Sequence, residues 1–194
     1  MTSRVVFITP ATSPSLRQAR FDDGDSIDAR GTAEARSAAG SLPPADRVVL
    51  SPSVRCRETA AALGLNDTEA EGAEAAPELA GLNAGRWRGR TLDEIGAAEP
   101  EAVAHWLADP TAAPHGGESV QDVCDRVGRW LEAAAETGGR TLAVVEPEVV
   151  RAAAVHALAM PAAAFWRLDA PPLRATEFSG RAGRWNLRLG RPLV

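Results

Sequence analysis

The stretch that decides the fold is RVVLSPSVRCRETA, residues 47–60, because it passes from one structural pattern to another within a few positions. Residues 47–50 form a short apolar run, which is typical of a strand buried on both faces. A helix then begins, with Ser51 as its cap and Pro52 in its first turn, and it is predicted to end near Leu63. A buried strand that leads directly into a helix is the repeating unit of an α/β protein.

The same unit recurs along the rest of the chain. Apolar runs at residues 4–9 and 141–145 predict two more buried strands. Helical spacing and capping sequences predict four more helices, at 32–42, 92–107, 119–136 and 147–159. Loops are predicted at 12–28 and 65–77, a short helix at 161–168, and a terminal pair of strands at 173–178 and 184–189.

This alternation predicts an α/β three-layer sandwich, in which helices flank a mostly parallel central sheet. The chain shows no internal repeat and no linker, so we expect one domain over residues 1–194. A 45% hydrophobic share over 194 residues is enough to build its core.

Composition excludes several classes of function. The net charge of −5 and the pI of about 5.3 disfavour binding to nucleic acid. Without a long apolar run or a signal-peptide pattern, a cytoplasmic protein with no membrane contact is expected.

The sequence also shows no pattern typical of a metal site. The two cysteines form no disulfide framework and have no metal-ligand spacing. Four aspartates between residues 22 and 28 lack the full calcium-loop pattern and predict a solvated acidic loop. No metal or cofactor is therefore expected.

Candidate site residues follow the predicted strands. In a parallel sheet, ligands bind beyond the carboxyl ends of the strands. Residues 9–13, 51–55 and 145–148 should therefore meet at one rim, which brings Thr9, Pro10, Ser13, Arg55 and Glu148 to a common pocket. Arg55 in the first turn of a helix is a candidate for binding an anion.

Five short motifs carry a resemblance to a known family. They are SPSVRCRETA at 51–60, GRWRG at 85–89, HGGES at 115–119, VVRA at 149–152, and the pair FWRL and GRW at 165–168 and 183–185. Their order and spacing resemble the histidine phosphatase superfamily, which has the phosphoglycerate-mutase-like fold, over nearly the whole chain. In that family a first histidine, within an R-H-G motif, attacks phosphorus. Two arginines and a second histidine hold the phosphoryl oxygens, and a glutamate protonates the leaving group.

The resemblance implies that this chain is a degenerate member. It places Thr9 and Pro10 at the positions of the first arginine and the first histidine. It places Gly81 at the position of the glutamate that protonates the leaving group, and Glu146 at that of the second histidine. Of the residues that hold the phosphoryl group in that family, this chain retains only Arg55. The chain is therefore expected to lack both catalytic histidines and to be neither a functional histidine phosphatase nor a phosphoglycerate mutase.

Charge balance predicts what fills the pocket instead. A buried guanidinium that lacks its counter-charge is costly. We therefore predict that Arg55 lies within salt-bridge distance of Glu146 or Glu148, at the start of the next rim helix.

The residues leave three hypotheses open. The first is a pseudoenzyme, whose fold binds a small-molecule ligand or a protein partner. The second is a repurposed enzyme that uses Glu146, Glu118 and His115 for acid–base chemistry on a non-phosphorylated small molecule. The third is a phosphatase with a hydroxyl nucleophile, Thr12 or Ser13. The sequence does not set the oligomeric state.

Overall fold

The computed structural model of the protein describes residues 2–65, 73–181 and 183–188. Its strands are β1 (Ser3–Ile8), β2 (Arg47–Leu50), β3 (Glu74–Ala75), β4 (Gly139–Val144), β5 (Ala175–Arg181) and β6 (Arg184–Arg188). They form one sheet in the order β3-β2-β4-β1-β5-β6. The pairings among β1 to β4 are parallel, whereas β5 is antiparallel to both β1 and β6. The predicted α/β fold with a mostly parallel sheet is confirmed.

Helices cover both faces of this sheet. They are α1 (Pro14–Arg17), α2 (Ala29–Ala38), α3 (Val54–Ala62), α4 (Leu92–Ala98), α5 (Pro100–Ala108), α6 (Val120–Thr137) and α7 (Pro147–Ala157). Short 3-10 helices lie at Ala39–Ser41, Pro77–Leu79, Gly85–Trp87 and Ala162–Arg167. In the part of the chain that the structure describes, no helix is long and apolar enough to cross a membrane.

Two apolar clusters place the sheet in the middle of three layers. One cluster joins α6 and α7 to the face of β1 that carries Val5 and Phe7. The other joins α2 and α3 to the opposite face, where Ile8 and the alternate residues of β2 and β4 point. Because successive strand residues point to opposite faces, both faces of a central strand must be apolar. The continuous apolar runs of the sequence reflect this requirement.

Some boundaries differ from the sequence-based predictions. The helix predicted at 92–107 is two helices, because Pro100 lacks an N–H group and begins a new one after Glu99. The loop predicted at 12–28 contains α1, which Ser13 caps. Part of the loop predicted at 65–77 pairs with β2 as β3, while residues 66–72 and the predicted strand end at Leu189 lie outside the described residues.

The helix after β2 begins two residues later than predicted. Ser53, rather than Ser51, is its cap, and the Ser53 hydroxyl accepts a hydrogen bond from the Cys56 N–H at 3.2 Å. Ser51 instead continues the sheet, since its N–H donates to the Val144 carbonyl at 2.9 Å. Arg55 still lies in the first turn of α3, as the sequence predicts.

Candidate functional site

The carboxyl ends of three adjacent parallel strands define the rim of the site. Val144 of β4 pairs with Ile8 of β1 on one side and with Leu50 of β2 on the other. The segments that follow these strands therefore leave the sheet side by side. This register brings the first turns of α3 and α7 next to each other.

Arg55 of α3 and Glu146, the residue before α7, form a buried ion pair at this rim. The Arg55 Nε donates to both Glu146 carboxylate oxygens, at 2.9 and 3.0 Å, and Nη2 lies 2.8 Å from Oε2. Burial, the largest single cause, lowers the pKa of Arg55. The charge and hydrogen bonds of Glu146, together with the charges of Asp22 and Glu148, more than offset burial and hold the pKa above its ordinary value. The ion pair predicted from the sequence is present.

The Cys56 thiol is a further partner of the same carboxylate. Its Sγ donates to Glu146 Oε1 at 3.6 Å. Burial, and then the charge of Glu146, raise the pKa of Cys56 well above its ordinary value. The thiol is therefore kept protonated and is a poor nucleophile. Nothing in the sequence indicated this contact, since the two residues are 90 positions apart.

Gly81 provides the space that the Glu146 side chain fills. A Cβ atom at position 81 would lie 3.0 Å from Glu146 Cγ and 3.4 Å from its Cβ. Most side chains at this position would press against the glutamate. The glycine and the glutamate therefore fit each other as a pair, although they are 65 positions apart in the sequence.

Glu148, in the first turn of α7, has an unsatisfied oxygen. Its Oε2 is buried and has no hydrogen-bond partner among the residues that the structure describes. Burial, and then the negative charge of Glu146, raise the pKa of Glu148, while the charges of Arg55 and Arg151 oppose the rise. This carboxyl is therefore easier to protonate than an ordinary glutamate side chain.

A cavity of about 360 Å³ adjoins the ion pair. Arg55, Gly81, Glu146 and Glu148 contribute to its wall. The rest of the wall includes two apolar and two charged side chains, Phe21, Leu82, Asp22 and Arg88. Sequence analysis did not identify these four, because residues on distant loops meet only when the chain folds.

The loop after β1 does not contribute to this cavity, although Thr9, Pro10 and Ser13 were expected in the pocket. Thr9 is buried, and its hydroxyl donates to the Pro171 carbonyl at 2.5 Å and accepts from the Arg174 N–H at 3.0 Å. The Pro10 carbonyl accepts from the N–H of Leu173 at 3.3 Å. Ser13 is the cap of α1. All three tie the loop to neighbouring backbone instead.

Glu118 is engaged elsewhere as well. Its two carboxylate oxygens accept from Arg126 Nε at 3.0 Å and Nη2 at 2.9 Å, and one of them also accepts from the Asn83 N–H at 3.1 Å. It does not line the cavity.

His115 lies in a cluster of aromatic rings. Its ring centroid is 4.9 Å from that of Trp87 and 6.1 Å from that of Trp106, and 2% of the residue is exposed. Burial, and then the charge of Arg86, lower its pKa, so the ring stays neutral. It does not line the cavity either. The structure therefore does not assemble Glu146, Glu118 and His115 in one site.

Two glycine-containing turns, at residues 83–86 and 115–117, contact each other through their backbones. The Arg86 N–H donates to the His115 carbonyl at 3.0 Å. A Cβ on Gly85 would lie 2.2 Å from the same oxygen, and one on Gly117 would lie 1.9 Å from the Asn83 carbonyl. Only glycine permits such close approach. This contact therefore requires glycine at positions 85 and 117.

The other two histidines lie outside the cavity. His105 is exposed on α5, with Nε2 3.8 Å from Asp109. His156 of α7 places Nε2 2.6 Å from Glu132 Oε1, which also accepts from the Trp185 indole at 3.2 Å. All three histidines of the chain lie in described segments, and none lines the cavity that holds Arg55.

A group of three aspartates offers the nearest approach to a metal site in the described residues. Carboxylate oxygens of Asp22, Asp23 and Asp25 lie within 4.8 Å of one another. Asp25 is already committed, since its oxygens accept from the Ser15 N–H at 3.0 Å and the Ser15 hydroxyl at 2.6 Å. The group lies in the segment between residues 22 and 28, for which the sequence predicts an acidic loop.

Known proteins share both the sequence pattern and the fold. The family model of the histidine phosphatase superfamily (branch 1) matches residues 17–191. A glucosyl-3-phosphoglycerate phosphatase of Mycolicibacterium vanbaalenii is 40% identical over 79 residues, which are 41% of this chain and 34% of that relative. The matched stretch thus spans about a third of the relative's length.

Solved structures of similar proteins cover almost the whole chain. A mycobacterial glucosyl-3-phosphoglycerate phosphatase is 24% identical with a TM-score of 0.83, covering 96% of this chain and 97% of its own. The alpha-ribazole phosphatase of Shigella flexneri is 21% identical with a TM-score of 0.81, covering 95% and 94%. Because these identities are below 25%, the similarity to these structures shows the fold alone. With the family match over most of its length, the chain belongs to the histidine phosphatase superfamily, branch 1.

Proposed function

We propose that this protein is a pseudoenzyme, a degenerate member of its family that carries out no histidine-dependent phosphoryl transfer and binds a small-molecule ligand or a protein partner. One observation carries the proposal: none of the three histidines of the chain lines the cavity that holds Arg55. The family's chemistry uses one histidine as the nucleophile and a second to hold the phosphoryl group. Pro10, at the aligned position of the nucleophile, has no nucleophilic side chain.

The Arg55–Glu146 ion pair supports the proposal. Arg55 is the one phosphate-binding group that the alignment retains, and Glu146 already accepts two of its N–H groups. A phosphate dianion at Arg55 would lie beside this carboxylate. At roughly 4 Å and an effective dielectric of about 20, a like-charge contact costs about 4 kcal/mol. The charge of Glu146 therefore weakens phosphate binding at Arg55, whether or not the protein can catalyse phosphoryl transfer.

Similar proteins carry phosphatase names. We propose that this chain keeps their scaffold and not their reaction, since the family resemblance assigns a general acid to the position of Gly81 and a histidine to that of Glu146.

The test is a phosphatase and mutase assay of the purified protein with p-nitrophenyl phosphate and with 3-phosphoglycerate. We expect no turnover of either compound above the uncatalysed rate. Turnover of about 1 per second or faster is typical of an enzyme and would contradict the proposal, provided that Arg55→Ala abolishes it. The variant is the control for a contaminating phosphatase, whose activity would not depend on Arg55.

A further inference from the structure

The cavity beside the ion pair has an acidic wall. Once Arg55 and Glu146 neutralise each other, the charged side chains that remain are Asp22, Glu148 and Arg88. Apart from the ion pair, the wall thus carries two carboxylates and one guanidinium. Arg88 is exposed, whereas Asp22 is partly buried and one oxygen of Glu148 is fully buried. Of these three side chains, the positive one is therefore the most exposed to solvent.

The buried oxygen of Glu148 points to a missing hydrogen-bond donor. Buried polar atoms in folded proteins nearly always have a partner, and an unpartnered carboxylate oxygen carries a high desolvation cost. Within the described residues, Glu148 Oε2 has none. Glu148 is also a residue of the cavity wall, so rotation of its carboxyl group would bring this oxygen to a donor in the cavity.

Apolar side chains occupy another part of the same wall. Phe21 and Leu82 line the cavity, and both also belong to the apolar cluster that surrounds Trp87 and Trp106. Pockets of a few hundred Å³ with apolar walls and a few polar groups are typical of small-molecule sites. The volume of about 360 Å³ is within that range.

We propose that this cavity binds a small organic cation, an amine with an apolar body, whose ammonium group donates to Glu148 and faces Asp22. The apolar body would contact Phe21 and Leu82. The inference rests on the proposed function, since it requires Glu146 to occupy Arg55. An anionic ligand would meet three carboxylates in this wall, Asp22, Glu146 and Glu148.

Three probes that share a phenyl group separate the effect of charge from that of apolar contact. They are phenethylammonium, the neutral 2-phenylethanol and the anionic phenyl phosphate. Each is titrated into ¹⁵N-labelled protein near pH 7, and amide chemical shifts are followed by NMR. We expect phenethylammonium to shift amides around residues 21–22, 82 and 148 with a Kd of about 1 mM. The alcohol should bind more weakly and phenyl phosphate should not bind.

Variants identify the counter-charge. Glu148→Gln should weaken phenethylammonium binding about tenfold, because a hydrogen bond between two charged groups becomes one with a neutral acceptor. Asp22→Asn should weaken it less and gives a second variant on another element. Glu101→Gln is the matched control, since it removes the same charge from an exposed position on α5 outside the cavity. It should leave the affinity unchanged.

Several results would overturn the inference. These are no amide shifts with phenethylammonium up to about 10 mM, equal binding of 2-phenylethanol, or an affinity that Glu148→Gln leaves unchanged. If phenyl phosphate also fails to bind, the proposed function still stands. Binding of phenyl phosphate that Arg55→Ala abolishes would overturn the inference, because Arg55 would then be free to bind an anion, whereas only turnover in the phosphatase assay would contradict the proposed function.

Discussion

Two arginine–glutamate pairs in this protein are alike in chemistry and differ in burial. In the Arg55–Glu146 pair, the side chains are 6% and 3% exposed, whereas in the Arg126–Glu118 pair they are 16% and 27% exposed. Both glutamates accept two hydrogen bonds from their arginine. The outer pair retains access to water.

The difference shows what each pair does for the fold. Arg126 also donates to the carbonyls of Glu78 and Ala80, so the outer pair clamps a loop to α6. The inner pair joins the first turn of α3 to the start of α7, at the carboxyl end of the parallel strands. A buried pair stabilises little in net terms, but the loss of one partner is costly. The inner pair should therefore be the more sensitive to single substitutions.

Gly81 lies between the two pairs. Its carbonyl lies 3.5 Å from Arg126 Nη2, and the space of its absent Cβ is taken by Glu146. A substitution at position 81 should therefore affect the packing of Glu146 in the inner pair. It should also affect the hydrogen bond of the Gly81 carbonyl with Arg126 in the outer pair.

The largest effect is expected for Glu146→Ala. This variant leaves Arg55 buried without a counter-charge and should lower the free energy of unfolding by about 3–5 kcal/mol. Denaturant titration in chloride measures the loss. Inorganic phosphate at equal ionic strength should restore part of it in the variant and have no effect on the wild type, because phosphate can then bind Arg55.

A matched double variant separates the loss of charge from the loss of volume. Arg55→Met combined with Glu146→Leu replaces the pair by apolar side chains and should be more stable than Glu146→Ala alone. If the double variant were the less stable of the two, the argument from the unpaired charge would not hold.

Gly81→Ala should have the next largest effect. The new Cβ would press on Glu146 Cγ at 3.0 Å, and crowding of this kind costs about 1–3 kcal/mol. In the Glu146→Ala background the space is free, so the same substitution should be close to neutral. Unfolding free energies of the four proteins form a double-mutant cycle. Additive effects would show that the two residues do not press on each other.

Glu118→Ala should have a smaller effect than Glu146→Ala. Its partner Arg126 can be solvated and keeps its bonds to backbone carbonyls, so the expected loss is about 1–2 kcal/mol. Denaturant titration under the same conditions gives a direct comparison of the two pairs. An equal or greater loss than for Glu146→Ala would mean that burial does not separate them.

The smallest effect is expected for Glu148→Gln, and it should be stabilising. The raised pKa means that the folded protein binds this proton more tightly than the unfolded chain does. Wild-type stability is therefore lost as the pH rises from the ordinary value of 4.5 through the raised one. Glutamine cannot ionise, so the variant should have a higher melting temperature near about pH 8 and an equal one below about pH 4.

Glu101→Gln serves as the control for this pH profile. It removes an exposed carboxyl on α5 and should change the melting temperature at neither pH. A melting-temperature difference for Glu148→Gln that does not vary with pH would contradict the assignment of the effect to ionisation.

Local sequence predicted the elements well where the controlling interactions span a few residues. The capping boxes at Thr91 and Ser119 are both present, since each depends on residues three positions apart. The helix predicted at 92–107 is interrupted at Pro100, because the periodic apolar pattern continues across a residue that lacks the N–H group.

The site could be predicted only in part. The contact of Arg55 with Glu146 followed from the rule that adjacent parallel strands end at one edge, together with the need of a buried guanidinium for an anion. The same rule placed Thr9, Pro10 and Ser13 at the rim. It could not show that the backbone of residues 171–174 engages the loop there.

The sequence by itself thus determined the order of strands and helices along the chain, the family, and the prediction that Arg55 pairs with Glu146 or Glu148 at the rim, because these depend on local patterns and on topology. Tertiary structure alone decided that Glu146 fills the space beside Gly81, that Cys56 donates to the same carboxylate and that Glu148 has a buried oxygen without a partner. These features depend on packing between residues far apart in the chain. Their distances and burial are set only when the layers close around the sheet.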